Sequence, residues 1–143
     1  PADLTAAIRK VHDFLTVGAP APLQEACAAG LRDLGPDYYE GMVRDYRARR
    51  EVLYQGLAEA GFACAPPEGA YYIMADFGAL SDEDDRAFSL RLASAGGVAP
   101  VPGSSFFSVP ERGRSLVRFA FCKRLETLEA AAERLRAFAR AGS

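Results

Sequence analysis

The apolar residues of this sequence change their spacing at Gly61. Before it they recur every three or four positions, which is typical of amphipathic helices, with breaks at the run "TVGAPAP" and at Gly35. The predicted helices cover residues 2–12, 22–34 and 36–60. After Gly61, short apolar and aromatic runs separated by turn residues predict strands. A helical half is therefore followed by a half that contains a sheet.

The order of elements after Gly61 indicates how sheet and helices combine. Strands are predicted at residues 62–65, 70–77, 98–101 and 116–122. Between the second and third lies a helix that begins at Ser81, in a capping-box-like arrangement with Asp84, and ends at Gly96. Its predicted inner positions are Ala87, Phe88, Leu92 and Ala95. A last helix turns Leu128 and Phe138 inward, and the resulting β-β-α-β-β-α order favours an α/β (α+β) fold, a small sheet covered by helices.

A single arginine interrupts the predicted strand 116–122. Read with a period of two, Val117, Phe119 and Phe121 fall on one face, which is predicted to be buried. Arg118 falls on the opposite face, among small or apolar residues. Because a half-buried guanidinium is unfavourable without a partner, it either pairs with an acid or water at the sheet edge or binds an anionic ligand. The sequence of the strand alone does not decide between a structural partner and an anionic ligand.

The composition argues against several classes of function. The 143 residues carry a net charge of -2, with no basic half that would attract nucleic acid. No apolar run approaches the roughly 20 residues that span a bilayer, and no signal-peptide pattern opens the chain. We therefore expect a cytoplasmic protein without a membrane partner. The three cysteines are unclustered and there is one histidine, so neither a disulfide framework nor a metal site is expected.

Two clusters of like charge have ordinary interpretations. The arginines along the third predicted helix favour a solvated or partner-facing surface over a phosphate site. They are Arg44, Arg47, Arg49 and Arg50. The acids at the start of the next predicted helix favour capping over metal binding, because the helix macrodipole attracts negative charge there. They are Asp82, Glu83, Asp84 and Asp85.

Four segments together resemble one family of enzymes. In chain order they are "KVHDFLTVGAPAPLQEA" (10–26), "PEGAYYIMADF" (67–77), "GVAPVPGSSFF" (97–107) and "VRFAFCKRLETLEAAAERL" (117–135). They are similar to the C-terminal part of the class I/II, fold-type-I pyridoxal-phosphate aminotransferases, nearest to the kynurenine, methionine and aspartate branch. The resemblance implies a small C-terminal domain over residues 36–143, with helices packed on a small, mostly antiparallel sheet. Residues 1–35 would then be the helical connection from a large domain.

The resemblance also implies roles for individual residues. In the family, the arginine of this strand, followed by the helix start "K-x-x-E-T-L", binds the α-carboxylate of the amino-acid substrate, and Arg118 stands at that position. Val17 and Gly18 resemble the segment that lines the neighbouring subunit's site in a homodimer. Tyr71 and Phe106 resemble residues near the mouth of the cleft.

The implied reaction transfers an amino group between an amino acid and a 2-oxo acid by means of pyridoxal phosphate. The family's Schiff-base lysine is expected upstream of Pro1, so neither Lys10 nor Lys123 fits it. We therefore expect a fragment that binds the substrate carboxylate, contains no catalytic residue and is inactive alone. The alternative is a catalytically inactive stand-alone lobe that self-associates or binds small acids.

Overall fold

The computed structural model describes residues 1–141. Its helices are α1 (Ala2–Thr16), α2 (Ala21–Asp33), α3 (Pro36–Glu59), α4 (Asp85–Arg91) and α5 (Leu125–Ala141). Its strands are β1 (Tyr72–Asp76), β2 (Val101–Pro102) and β3 (Leu116–Ala120). A π-helical turn, Leu92–Gly96, extends α4, and two 3₁₀ turns, Gly103–Phe106 and Pro110–Gly113, lie between β2 and β3. In this part of the chain, none of the helices combines the length and the apolar character needed to cross a membrane.

The strands form one antiparallel sheet in the order β1-β3-β2, with β3 in the centre. Arg118 of β3 is aligned with Met74 of β1 on one side and with Val101 of β2 on the other. Residues of α3, α4 and α5 join those of the sheet in one hydrophobic core. The predicted fold, helices packed on a small and mostly antiparallel sheet, is confirmed.

The core lies on one face of the sheet. Val117 and Phe119 of β3 are buried, and so is Phe121 just beyond it, as the period of two predicts. Phe77 and Phe88 stack in parallel with ring centroids 4.0 Å apart. Burial of each such side chain contributes about 2 kcal/mol, so this face fixes the helices on the sheet.

All four predicted strands are shorter than their sequence patterns, and two of them lose most of their length. The segment 62–65 is reduced to a single bridge between Ala63 and Asp76, because two prolines that cannot donate to a ladder follow it. The segment 98–101 keeps only Val101 in β2. The apolar pattern therefore locates these segments but overestimates how far they pair.

Helix α4 begins later than predicted. Its N-cap is Asp84 rather than Ser81, and the Asp84 carboxylate accepts hydrogen bonds from the backbone N–H groups of Arg86 and Ala87, at 3.0 and 2.8 Å. The Ser81 hydroxyl bonds instead to Glu83. The predicted capping box was therefore wrong, although an acid does cap this helix.

The inner face of α4 also differs from its prediction. Ala87 and Ala95 are exposed, whereas Asp85 and Ser89 are buried. The Ser89 hydroxyl donates to the backbone carbonyl of Asp85 at 2.6 Å, which satisfies it within the helix. Because polar residues are rarely buried completely, a prediction from the hydrophobic pattern misses the burial of both residues.

Glu83, in the acidic cluster before α4, forms an ion pair with Arg91 at 2.7 Å. The hydrogen bonds from Arg91 and then from Ser81 hold the pKa of Glu83 below its ordinary value of 4.5. Within residues 1–141, no three His, Cys, Asp or Glu side chains are grouped so that they could hold a metal ion. In this cluster Asp84 caps the helix and Glu83 pairs with a cation.

The contacts divide the described chain into two compact units, residues 1–41 and the residues that follow, with the division inside α3. Helices α1 and α2, in the first unit, contain no buried residue. In the second unit the apolar stripe of α3 is buried at Leu53 and Leu57. The domain boundary predicted between residues 35 and 36 stays a prediction.

Candidate functional site

The candidate site lies on the face of the sheet opposite the core. Arg118 is in the central strand, where alternation turns its side chain away from the side of Val117 and Phe119. It is half-buried, and Met74 and Val101 lie beside it on the neighbouring strands. Strand pairing therefore fixes the backbone of this arginine from both sides.

Two aromatic rings hold the guanidinium of Arg118. Its Cζ atom lies 5.0 Å from the centroid of the Tyr72 ring and 4.8 Å from that of the Phe106 ring. A cation at such a distance is stabilised by about 0.5–1 kcal/mol at exposed sites and by more where water is excluded. Tyr72 belongs to β1 and Phe106 to the 3₁₀ turn after β2, so two separate segments orient one charge.

The charge of Arg118 has no anionic partner within residues 1–141. Arg118 takes part in none of the ion pairs there, and its Nε atom is buried without a hydrogen-bond partner. A buried donor left unpaired costs about 1–3 kcal/mol. The structural ion pair that the sequence leaves open is therefore not formed among these residues, and a carboxylate ligand is a group that would supply the missing partner.

The turn that carries Phe106 is anchored by a buried carboxylate. Asp85, only 4% exposed, accepts a hydrogen bond from the backbone N–H of Ser104 at 2.7 Å. Gly103 packs so closely on the main chain of β3 that a Cβ atom there would lie 2.5 Å from the carbonyl oxygen of Leu116. The buried acid and the glycine together position one of the two rings on the guanidinium.

Of the residues proposed from the sequence, the structure brings Arg118 and Phe106 together and places Tyr71 elsewhere. Tyr71 is 47% exposed and lines a cavity beside α3. Its ring meets the Tyr72 ring edge-on, with centroids 5.6 Å apart, and Tyr72 is the residue that stacks on Arg118. The period of two along β1 could have identified Tyr72, because the residues that alternate with it are buried.

Val17 and Gly18 lie between α1 and α2, in the first compact unit. Val17 is 90% exposed and has φ 59° and ψ -47°, a strained conformation for a β-branched residue. The N–H of Gly18 donates to the carbonyl of Thr16 at 2.6 Å, which closes a tight γ-turn. Their role at a neighbouring subunit stays a prediction.

Comparison with known proteins relates the chain to one family of enzymes. Residues 1–135 match the aminotransferases of class I and II. The methionine aminotransferase of Escherichia coli (strain K12) is 40% identical over 136 residues, which are 95% of this chain and 35% of that protein. The kynurenine–oxoglutarate transaminase of Dictyostelium discoideum is 28% identical in an alignment of 157 positions that covers 94% of this chain and 35% of that protein.

Solved structures give the same relation. N-succinyldiaminopimelate aminotransferase from Mycobacterium tuberculosis superposes with a TM-score of 0.78 at 37% identity, over 96% of this chain and 35% of that one. A methionine aminotransferase from Escherichia coli superposes with a TM-score of 0.77 at 40% identity, over 96% and 35% of the two chains. The chain thus spans about a third of the length of these relatives, 35% in each case.

Proposed function

The chain belongs to the class I and II aminotransferases, and on that premise we propose that it is the C-terminal, substrate-binding lobe of a pyridoxal-phosphate enzyme. Arg118 would bind the α-carboxylate of the amino acid and of the 2-oxo acid between which the parent enzyme transfers an amino group. The observation that carries the proposal is a half-buried arginine, stacked between two rings, that has no ion pair within residues 1–141.

The chemistry of the guanidinium suits this role. It stays charged at physiological pH, and its parallel N–H groups match the two oxygens of a carboxylate. The amino acid and the oxo acid both carry that carboxylate next to the reacting carbon, so one arginine serves both. Because the rings of Tyr72 and Phe106 orient the guanidinium before a ligand arrives, binding costs less conformational entropy.

The surroundings of Arg118 strengthen a charge pair. Met74 and Val101 flank it on the neighbouring strands and have no charged group to compete for the ligand. A charge pair gains strength as water is excluded from around it. An apolar setting on a rigid strand would therefore hold the carboxylate firmly and present the rest of the substrate to the cofactor.

The parent reaction needs pyridoxal phosphate as an electron sink. Residues 1–141 do not by themselves fit that cofactor, because Lys10 and Lys123 are both exposed and neither offers an enclosed amine for a Schiff base. The lysine, the acid that holds the pyridine nitrogen and the phosphate site would be residues outside this chain. This chain contributes binding and orientation and is inactive alone.

A homodimer is part of the same proposal. Val17 and Gly18 would line the neighbouring subunit's site, and the exposure and strain of their turn support a contact made outside their own unit. We propose the cytoplasm as the location, a choice supported by the free thiols of Cys27, Cys64 and Cys122.

Replacement of Arg118 tests the proposal. In the full-length gene product that contains this chain, we expect Arg118→Gln to lower kcat/KM by roughly 150-fold, the equivalent of about 3 kcal/mol of lost charge pairing. The absorbance of bound cofactor should not change, because the residues assigned to the cofactor lie outside this chain. Arg114→Gln is the matched control, because Arg114 is exposed. Equal kcat/KM values in the two variants would contradict the role of Arg118.

A second candidate function, self-association of an inactive lobe, has one observation in its favour. Helix α1 exposes apolar side chains at helical spacing, each more than half accessible: Leu4, Ile8, Val11 and Leu15. Light scattering of the 143-residue chain tests it. A dimer that Val11→Glu dissociates would support this candidate, whereas a monomer at all concentrations would exclude it.

A further inference from the structure

The cavity that Tyr71 lines, and that Arg118 does not line, lies between α3 and the segment before β1. Its volume is about 410 Å³, within the range of small-molecule sites. The rings of Tyr46, Tyr71 and Phe121 line it, and those of Tyr46 and Phe121 meet edge-on with centroids 6.2 Å apart. The cavity therefore offers an aromatic wall to an apolar group.

Arg50 of α3 lines the same cavity and has unused hydrogen-bonding capacity. Its Nη1 atom donates to the carbonyl oxygen of Pro67 at 3.0 Å, which fixes the guanidinium in the wall. Its Nε atom is buried without a partner, a deficit that only Arg118 shares within residues 1–141. Glu51 lies 4.0 Å from Nη2 with half of its side chain exposed, so it neutralises Arg50 only weakly.

The lining carries an excess of positive charge. Arg47 also lines the cavity, is exposed and forms no ion pair within the described part of the chain. Glu68 is the one acid in this lining, and it pairs with neither arginine. An anionic group that enters the cavity would therefore meet two cations and one acid.

The loop across from α3 is held in a strained conformation. Ala70 has φ 61°, in the left-handed region that a residue with a Cβ atom rarely adopts. Strain of this kind persists where the surrounding structure imposes it, and it is concentrated at ligand sites. Here it lies directly before Tyr71, whose exposed ring forms part of the cavity wall.

We propose that this cavity binds a small monocarboxylate with an aromatic or branched apolar body. The carboxylate pairs with Arg50 and Arg47, and the body packs against Tyr46 and Tyr71. An apolar wall gives an inorganic anion nothing to pack on, and the two arginines repel an amine. The site is independent of the carboxylate site proposed at Arg118, so each can fail without the other.

The test is a titration of 3-phenylpropanoate into the isotopically labelled 143-residue chain, followed by NMR. We expect saturable shifts of the Arg50 Nε–H signal and of the backbone amides of residues 69–71. Arg50→Gln should weaken binding at least about tenfold, and 3-phenylpropanamide, which has the same shape but no charge, should bind about tenfold more weakly. Arg118→Gln should leave these shifts unchanged, which separates the two sites.

Several outcomes would overturn the proposal. One is a set of shifts confined to the surroundings of Arg118, and another is an affinity that neither Arg50→Gln nor the amide changes. If Arg50→Gln unfolds the chain, Arg47→Gln replaces it and should weaken binding about threefold, and no effect there also overturns the proposal. Binding to the 143-residue chain but not to the full-length gene product would show that a segment of the parent fills the cavity instead.

Discussion

Arg118 and Arg50 both have a buried Nε atom without a partner within residues 1–141, but their surroundings differ. Arg118 is held by a central strand and two aromatic rings, and none of its N–H groups bonds to a described residue. Arg50 stands on a helix, and one of its N–H groups is already donated to the Pro67 carbonyl. Arg118 thus keeps its Nη donors for a ligand, whereas Arg50 has already donated one of its own. We therefore expect Arg118 to bind carboxylates more tightly than Arg50.

The largest effect is expected when the turn that supports Arg118 is displaced. Gly103→Ala would put a Cβ atom 2.5 Å from the Leu116 carbonyl oxygen, so we expect a loss of about 3 kcal/mol in the free energy of unfolding, measured with urea. Carboxylate binding at Arg118 should weaken as well. Gly69→Ala is the control, because no atom lies within 4 Å of a Cβ there. Equal stabilities of the two variants would contradict the close packing of the turn.

A smaller effect is expected from the buried acid. Asp85→Ala leaves the backbone N–H of Ser104 without its acceptor, which should cost about 2 kcal/mol of stability. Because this bond also positions Phe106, carboxylate affinity at Arg118 should fall too. Asp85→Asn, which keeps an acceptor oxygen, should recover most of that affinity, and the exposed Asp82→Ala should match the wild type. Affinity that falls equally in the Asn and Ala variants would rule out the positioning role.

The smallest effect is expected from replacing single aromatic rings, because each site has rings of its own. Phe106→Leu should weaken carboxylate binding at Arg118 by about 1 kcal/mol, roughly fivefold, through loss of the cation–π contact. Tyr46→Leu should weaken binding at the Arg50 cavity and leave Arg118 unaffected, because the Tyr46 ring contacts Phe121 and not Tyr72. NMR titrations that follow both Nε–H signals measure the two affinities in one sample. If either variant changes both affinities equally, the sites are not independent.

The two arginines also differ in how far the sequence predicts them. Arg118 can be singled out in the sequence because it is the one charged residue in a predicted strand of otherwise small or apolar residues. Arg50 follows three other arginines of the same helix, and nothing in the sequence distinguishes it from them. Tyr72 could have been chosen over Tyr71 from the phase of β1. The role of Asp85 could not have been predicted, because its burial depends on a hydrogen bond to Ser104, 19 residues away.

The elements themselves were more predictable than their contacts. Helical spacing and Gly or Pro breaks located all five helices of residues 1–141, and the family resemblance agreed with the fold. Local patterns failed where pairing or capping depended on a distant or competing group, as in the strand 62–65 and at Ser81. Arg118 was predicted as a charge that needs a partner, but its two aromatic neighbours come from separate segments that no local pattern connects.

The place of β3 in the sheet has a consequence for the time at which the protein acquires its structure. β3 is made last of the three strands, yet β1 and β2 each pair with it and not with one another. A growing chain on the ribosome therefore carries two strands without ladder partners until residues 116–120 emerge. Pairing across so many intervening residues is slow compared with helix formation. The sheet, with Arg118 in its central strand, would therefore form in a single late step. By then α3 and α4, which pack on it, have already been synthesised.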